Sequence, residues 1–227
     1  MRASDPMKLL CKVLSVILLT MGSFHVCGAQ LYHKPKVMVG ATAGVNFLSV
    51  IFIPNVNQDV HLGLDAGGVF RIDVEKFAGI WVEFDYSQRG WKEEPTEEGG
   101  YTYERTTQYF TMPIMTHFMV GKGPLKVTID AGPQFGYFLG DSFKSTFPDE
   151  GVSGVETHQH SLPVERKFSW GLTGGPGLEY HFPHMVAGLR TSYYYGLGDF
   201  FNNTRKDYFG KSSEQVYAAK LYLLYSF

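Results

Sequence analysis

The chain has 227 residues, of which 44% are hydrophobic and 15% aromatic, and its formal net charge is −2 at pH 7. This slight acidic excess argues against nucleic acid as a partner, because proteins that bind it present a basic face to the phosphates. The length fits one domain of ordinary size, and the mean hydropathy of −0.11 would by itself favour a soluble protein.

The amino-terminal segment has the pattern of a secretory signal peptide. Basic residues precede a short apolar core at 13–21, and small residues at 27–29 form a cleavage site. The apolar core is too short for a transmembrane helix, which needs roughly 20 apolar residues. We therefore predict a signal peptide over residues 1–29 and one mature domain over residues 30–227.

Both cysteines of the chain, Cys11 and Cys27, lie in this segment. The mature domain would then contain no disulfide, although small secreted proteins often depend on disulfides for stability. Two alternatives stay open. Translation could begin at Met7, and Cys27 could be the lipidated residue of a lipoprotein signal.

Apolar and polar residues then alternate with period two in eight segments, as in strands with one apolar face. In the second segment, Leu62 and Leu64 alternate with His61 and Asp65. Each segment reaches the roughly 9–11 residues with which a tilted strand crosses a bilayer. In chain order, the segments are residues 36–47, 60–72, 79–90, 103–120, 125–140, 167–182, 185–197 and a terminal segment that ends at 227.

The connections between these segments alternate in length. The long ones are residues 48–59, 91–102, 141–166 and 198–213, and the short ones are residues 73–78, 121–124 and 183–184. Outer-membrane barrels have long external loops, short periplasmic turns and an even number of strands. We therefore predict an all-β fold: an eight-stranded antiparallel up-and-down transmembrane β-barrel in the bacterial outer membrane, with both termini in the periplasm.

The terminal strand is apolar and ends on aromatic residues. Phe227, Tyr225, Leu223 and Leu221 share one face, whereas the ends of soluble domains are usually polar. An outer-membrane barrel needs such a closing strand, with its outer face in lipid. We interpret Phe227 and Tyr225 as an insertion signal, and we expect outer-membrane lipid and the barrel-assembly machinery as partners.

The opposite faces of the strands carry charged residues that would point into the barrel. The interior of an eight-stranded barrel is just wide enough to be filled by side chains, and unpaired ions are costly there. We therefore predict that ion pairs and hydrogen bonds fill the lumen; a narrow polar channel or a ligand niche is the alternative. The members of this network are Asp65, Arg71, Glu83, Asp85, Asp130, Glu179, Arg190 and Lys220, and Lys126 shares their face.

Many tyrosines, together with Trp91, fall near predicted strand ends. Amphipathic rings favour the headgroup zone, so we expect them to form aromatic girdles at the membrane surfaces. The residues are Tyr32, Tyr86, Trp91, Tyr101, Tyr180, Tyr193, Tyr195, Tyr217 and Tyr225.

We predict no catalytic residue, metal or cofactor. His158 and His160 have a spacing compatible with a metal, but two histidines alone do not make a site. An enzyme at the barrel rim would have to use groups such as Ser142 and Asp149, which are scattered over one predicted loop. Residues 79–81 match the Gly-x-Trp of lipocalins, but a lipocalin would carry that motif on its first strand and turn its apolar face inward.

Several strings of the chain, taken in order, resemble the PorT-type outer-membrane β-barrel family of Bacteroidetes. They are VEFDYSQRGW at 82–91, YFTMPIMTHF at 109–118, DAGPQFGYFLG at 130–140, GGPGLEYHF at 174–182 and YAAKLYLLYSF at 217–227. Pro113 corresponds to the proline of the family's aromatic-x-x-Ile/Met-Pro strand, and Gly132 and Pro133 to its Ala-Gly-Pro strand. The resemblance implies an eight-stranded barrel without a settled activity, and its name-giving member supports type IX protein secretion.

We therefore favour a non-enzymatic, integral outer-membrane barrel with a filled lumen and surface-exposed loops. The alternatives are an accessory component of type IX secretion, which would have other secretion or envelope proteins as partners, an outer-membrane enzyme with a site at the rim, and a soluble lipocalin-like binding barrel.

Overall fold

The computed structural model describes residues 34–53, 58–93, 102–146, 163–199 and 211–227. The chain divides into two units, Met1–Lys34 and Pro35–Phe227, and the second unit contains all of the described strands. The predicted signal peptide, Tyr32, Tyr101 and the His158–His160 pair lie outside the described residues. No helix within the described ranges is long and apolar enough to cross a membrane.

The described part of the second unit is an antiparallel sheet of nine strands. The strands are β1 (Lys36–Ile53), β2 (Gln58–Asp59), β3 (His61–Asp73), β4 (Ala78–Glu93), β5 (Tyr103–Val120), β6 (Leu125–Ser145), β7 (Phe168–His181), β8 (Met185–Gly196) and β9 (Lys211–Ser226). Eight of them correspond to the predicted segments, and β2 is a two-residue addition that pairs with the end of β4.

The sheet closes on itself into a barrel. The pairing order runs β4-β3-β1-β9-β8-β7-β6-β5, and β5 pairs again with β4 to complete the ring. The first and last long strands meet in this ring, with Val39 opposite Tyr225. Closure gives the long strands a neighbour on both sides, which removes the unpaired edges of an open sheet. The predicted all-β, antiparallel, up-and-down barrel is therefore confirmed.

The two faces of the wall differ as period-two alternation requires. On the outer face, Leu62 and Leu221 are 64% and 65% exposed. On the inner face, Asp65, Glu83 and Arg190 are 4%, 0% and 2% exposed. The apolar row therefore looks outward and the charged row is enclosed, which is the inverse of a soluble domain.

The barrel has a turn end and a loop end. The turn end carries the connections 74–77, 121–124 and 182–184, and at the first of these the amides of Val74 and Glu75 both donate to the carbonyl of Ala78. The φ of Gly123 is +75°, a left-handed conformation that favours glycine, so the second turn needs a glycine there. The loop end is the opposite end, where β1 ends and β3 begins.

At the loop end the strands continue beyond their predicted bounds. β1 runs to Ile53 rather than to residue 47, and β6 runs to Ser145 rather than to residue 140. On the outer face of this extension Lys92 lies opposite Glu104, which lies opposite Lys144. Backbone pairing continues where the outer face turns polar, so the apolar alternation that marks a strand in the sequence stops before the strand does.

A β-bulge sets the direction of the β6 extension. Gln108 pairs with Gly140 and Tyr109 pairs with Phe138, so β6 has one extra residue, Leu139, at this point. Beyond the bulge, Asp141 therefore faces the same side as the inward-pointing residues of β5. The predicted start of the third long loop at Asp141 was wrong, because β6 continues to Ser145.

Candidate functional site

The middle of the lumen holds a network of ion pairs centred on Glu83, which is completely buried. Its carboxylate accepts hydrogen bonds from Arg190, from the indole nitrogen of Trp81 at 2.7 Å and from Lys220 at 3.2 Å. The guanidinium of Arg190 also lies 4.9 Å from the centre of the Trp81 ring. Because Glu83, Arg190 and Lys220 come from β4, β8 and β9, this network ties together opposite parts of the wall.

Lys220 extends the same network toward β3. Its ammonium group lies 2.5 Å from the carboxylate of Asp65 and 2.8 Å from that of Asp85. Asn46 then donates to Asp65 at 3.4 Å and to the hydroxyl of Ser87 at 3.0 Å. One cation thus serves three carboxylates, which compensates part of the large cost of removing them from water.

Nearer the turn end, Arg71 is the centre of a second group of contacts. Its guanidinium donates to Asp73 at 2.6 Å and to Glu179 at 2.6 Å, and the hydroxyl of Tyr222 donates to Glu179 at 2.8 Å. The ring of His117 lies between two carboxylates, with Nδ1 2.6 Å from Asp130 and Nε2 3.3 Å from Glu179. Side chains from three strands, β3, β5 and β9, thus contact the Glu179 carboxylate.

Apolar side chains close the lumen around this second group. They form one buried cluster that includes the Trp81 ring, and the ring of Tyr222 packs edge-on against Trp81 at 4.9 Å. The members are Met38, Val69, Trp81, Met115, Val186, Tyr222 and Leu224. The turn-end half of the barrel is therefore filled by packed side chains of both kinds.

Small residues make room for these large ones. The ring of Tyr222 lies directly over Gly188 on the neighbouring strand, where a Cβ atom would come within 2.3 Å of it. On the other side of the lumen, a Cβ at Gly67 would meet the Asp85 carboxylate at 2.2 Å. Glycine at these positions lets a ring and a carboxylate lie against the wall.

Toward the loop end, Arg89 fills the lumen. It is buried, donates to Glu214 at 2.6 Å, and lies 5.0 Å and 4.8 Å from the ring centres of Tyr109 and Tyr194. A cation between two aromatic faces and a carboxylate is held by both electrostatic and packing contacts.

Near the mouth, Trp91 and Arg105 continue the column of buried side chains. Arg105 contacts Asp141 at 2.5 Å and lies 5.4 Å from the centre of the Trp91 ring, whose nitrogen donates to Glu93 at 2.6 Å. The prediction that Trp91 belongs to an aromatic girdle was wrong, because Trp91 is buried. The strand continues past its predicted end, so Trp91 keeps the inward phase of Arg89.

All eight residues of the predicted lumen network are buried, and contacts between charged groups join them. The sequence-based list missed Asp73, His117, Arg89 and Glu214. Asp73 and Glu214 lie at or beyond predicted strand ends, Arg89 is the penultimate residue of its predicted strand, and His117 lies on a strand from which the list contains no residue. Lys126, in contrast, donates to the carbonyl of Gly121 at the turn end and does not reach the network.

The two aromatic residues of the predicted insertion signal lie at the turn end. Phe227 is 82% exposed, and its ring packs edge-on against Tyr225 at 5.4 Å. The amide of Phe227 donates to the carbonyl of Val37, which anchors the terminus to β1. Recognition of these residues by the assembly machinery stays a prediction.

The chemistry of this lumen is that of a packed interior. Its carboxylates face arginine, lysine, histidine or indole donors at hydrogen-bonding distances. Within the five described ranges, no group of three or more His, Cys, Asp or Glu side chains could hold a metal ion.

A closed antiparallel barrel with an apolar outer face and a polar, charged interior is the architecture of bacterial outer-membrane β-barrel proteins. The particular family follows from comparison with known sequences. The chain belongs to the outer membrane protein beta-barrel domain family, which it matches over residues 29–202. No curated protein sequence matches it significantly.

Solved structures of outer-membrane barrels are similar to this fold. OprG from Pseudomonas aeruginosa superposes with a TM-score of 0.53 at 12% identity, covering 87% of this chain and 98% of OprG. Neisserial surface protein A has a TM-score of 0.44 at 14% identity, covering 84% and 98%. The outer membrane protein W of E. coli has a TM-score of 0.42 at 14% identity, covering 83% and 98%. At these identities, the likeness to OprG shows the fold and nothing finer.

Proposed function

We propose that this protein acts without catalysis, as a closed outer-membrane barrel that presents its long loops at the cell surface. The observation that carries the proposal is the filled lumen. Buried side chains occupy the axis from the Arg71–Glu179 pair near the turn end to Arg89 near the loop end. A barrel with such an interior serves as a scaffold for what it displays at its ends.

The proposed orientation places the loop end outside the cell and both termini in the periplasm. The support is the length of the connections, since the described turns at the other end are only a few residues long. The polar outer face around Lys92 and Glu104 also fits a loop end that rises above the hydrocarbon.

The test is single-channel conductance of the refolded barrel in planar bilayers. We expect the wild-type protein to give no discrete current steps, because the packed Trp81 and Tyr222 rings, together with the ion pairs of Glu83 beside them, leave no continuous path for ions. Exchanging both large rings of the core, Trp81→Ala with Tyr222→Ala, should produce steps. Phe84→Ala, which removes an outward ring from the same strand as Trp81, is the matched control and should stay silent. Stable steps from the wild-type protein would refute the closed lumen.

Membership of the PorT-type group of Bacteroidetes is a finer proposal that is supported by the sequence resemblance. Pro113 and Pro133 of its motifs lie within β5 and β6. A role in type IX secretion stays a prediction of that resemblance, and export of cargo proteins after deletion of the gene tests it.

A further inference from the structure

The outer wall of the barrel carries a groove of about 400 Å³ that no part of the proposed function uses. It crosses β7, β8 and β9 and reaches β1. Residues with small side chains or none form its floor; they are Gly174, Pro176, Thr191 and Ala219. The groove exists because these positions fall side by side in the sheet, with Thr191 opposite Ala219.

The floor of the groove coincides with an interruption of the β7–β8 ladder. Gly174 pairs with Tyr193 and Gly177 pairs with Arg190, and the two residues of β7 between these pairs are skipped. One of the skipped residues is Pro176, which has no N–H to donate. The hydroxyl of Thr191 donates to the Pro176 carbonyl at 3.1 Å. The Thr191 hydroxyl at the floor of the groove is therefore already hydrogen-bonded within the barrel wall.

Aromatic rings form one side of the groove. Tyr193 and Tyr217 face each other across β8 and β9, with ring centres 4.7 Å apart. Phe47 continues this side on β1, directly opposite Tyr217. These rings rise above a floor of small side chains, which gives the groove a tall, rigid wall toward the loop end.

The surroundings of the groove are apolar. The residues that line it carry no charged side chain. On the side toward the turn end, the exposed side chains of Leu189 and Leu221 follow directly on β8 and β9. The groove is therefore continuous with the lipid-facing surface of the barrel, and its occupant must come from the hydrocarbon of the bilayer.

We propose that this groove binds one acyl chain of a membrane lipid. If the groove were empty, the atoms of its floor and of the Tyr193 and Tyr217 rings would lack dispersion contacts on one side. A flexible, linear chain can follow a groove across three strands and regain these contacts. A second copy of the barrel fits less well, because a two-fold contact would place groove against groove and leave the space unfilled.

The experiment compares lipid retention by matched variants. The barrel is refolded into vesicles of phosphatidylethanolamine with phosphatidylglycerol and extracted into a mild detergent, and bound lipid is measured by native mass spectrometry. Ala219→Phe fills the groove floor with a ring. Ala43→Phe adds the same ring to the lipid-facing surface of β1, outside the groove and opposite Leu221, and is the control.

We expect the wild-type barrel and Ala43→Phe to retain one lipid, and Ala219→Phe to show about tenfold lower occupancy, since the ring occupies the volume of the chain. Each variant is first checked for a folded barrel by heat-modifiable gel mobility, and Ala219→Leu replaces Ala219→Phe if the larger side chain prevents folding. Equal lipid retention by all variants, or none by the wild type, would overturn the proposal. A dimer that carries no lipid and is lost in Ala219→Phe would overturn it in favour of a second copy.

Discussion

At the scale of single residues, Glu83 is the carboxylate at the centre of the ion-pair network in the middle of the lumen. It accepts from a guanidinium, an ammonium and an indole, which are supplied by Arg190, Lys220 and Trp81. Burying such a pair gains little net free energy, because desolvation offsets the attraction. Removing Glu83 is expensive, because the guanidinium of Arg190 then stays buried without the carboxylate that it contacts most closely.

We therefore expect Glu83→Ala to lower the free energy of unfolding by about 3–5 kcal/mol. Glu104→Ala is the control, since Glu104 contacts His61 at the loop end, is 38% exposed, and should change stability by less than about 1 kcal/mol. Urea titration of the barrel in lipid vesicles, followed by tryptophan fluorescence, measures both. Equal effects of the two substitutions would contradict the assignment of Glu83 to a dry network.

At the scale of the strand, β8 shows how a barrel wall accommodates a filled interior. Gly188 on its inner face lies beneath the Tyr222 ring, while its neighbour Ala187 points outward. The Tyr222 ring can lie against the wall and reach Glu179 because position 188 has no side chain. A side chain at position 188 would force the ring away from the wall and break this hydrogen bond.

The expected result of Gly188→Val is a loss of about 1–3 kcal/mol of stability, which is the usual cost of overpacking a close-packed core. Ala187→Val adds similar volume on the lipid-facing side of the same strand and should be nearly neutral. The midpoint temperature of the heat-modifiable gel shift compares the two variants. Equal destabilisation by Ala187→Val and Gly188→Val would show that the inner face of β8 is no more crowded than its outer face.

At the scale of the whole molecule, the barrel is organised by depth. The exposed outer face is apolar around Leu64 and Leu221, and it becomes polar at the paired Gln88 and Gln108 toward the loop end. Inside, ion pairs and packed rings replace the water that a wider barrel would hold. The lipid-facing belt and the filled lumen together account for an apparently soluble composition.

Depth predicts the cost of a charge on the outer face. Leu64→Arg should destabilise the barrel in vesicles by about 2–4 kcal/mol, whereas Gln108→Arg, beyond the belt, should cost about 0–1 kcal/mol. Urea unfolding in phospholipid vesicles checks the difference. Similar costs at the two positions would show that Leu64 does not face hydrocarbon.

The sequence by itself determined the number and direction of the long strands and, within the apolar belt, the face on which a residue lies. A period of two is a local property of one strand. The alternation alone therefore assigns Leu62 to the outer face and Asp65 to the inner face, whatever the neighbouring strands are. The same pattern collected eight of the buried charged residues. The pattern did not identify Arg89 and Glu214, because the apolar alternation weakens where the strands extend past the lipid-facing belt toward the loop end.

Only the tertiary structure decided which side chains meet. Arg89 and Glu214 are 125 residues apart in sequence, and the bulge that turns Asp141 toward Arg105 depends on one extra residue in β6. The groove over Pro176 and Ala219 likewise arises from the alignment of strands in register. Closure of the sheet brings distant segments together, and the local alternation of residues does not specify which side chains from those segments come into contact.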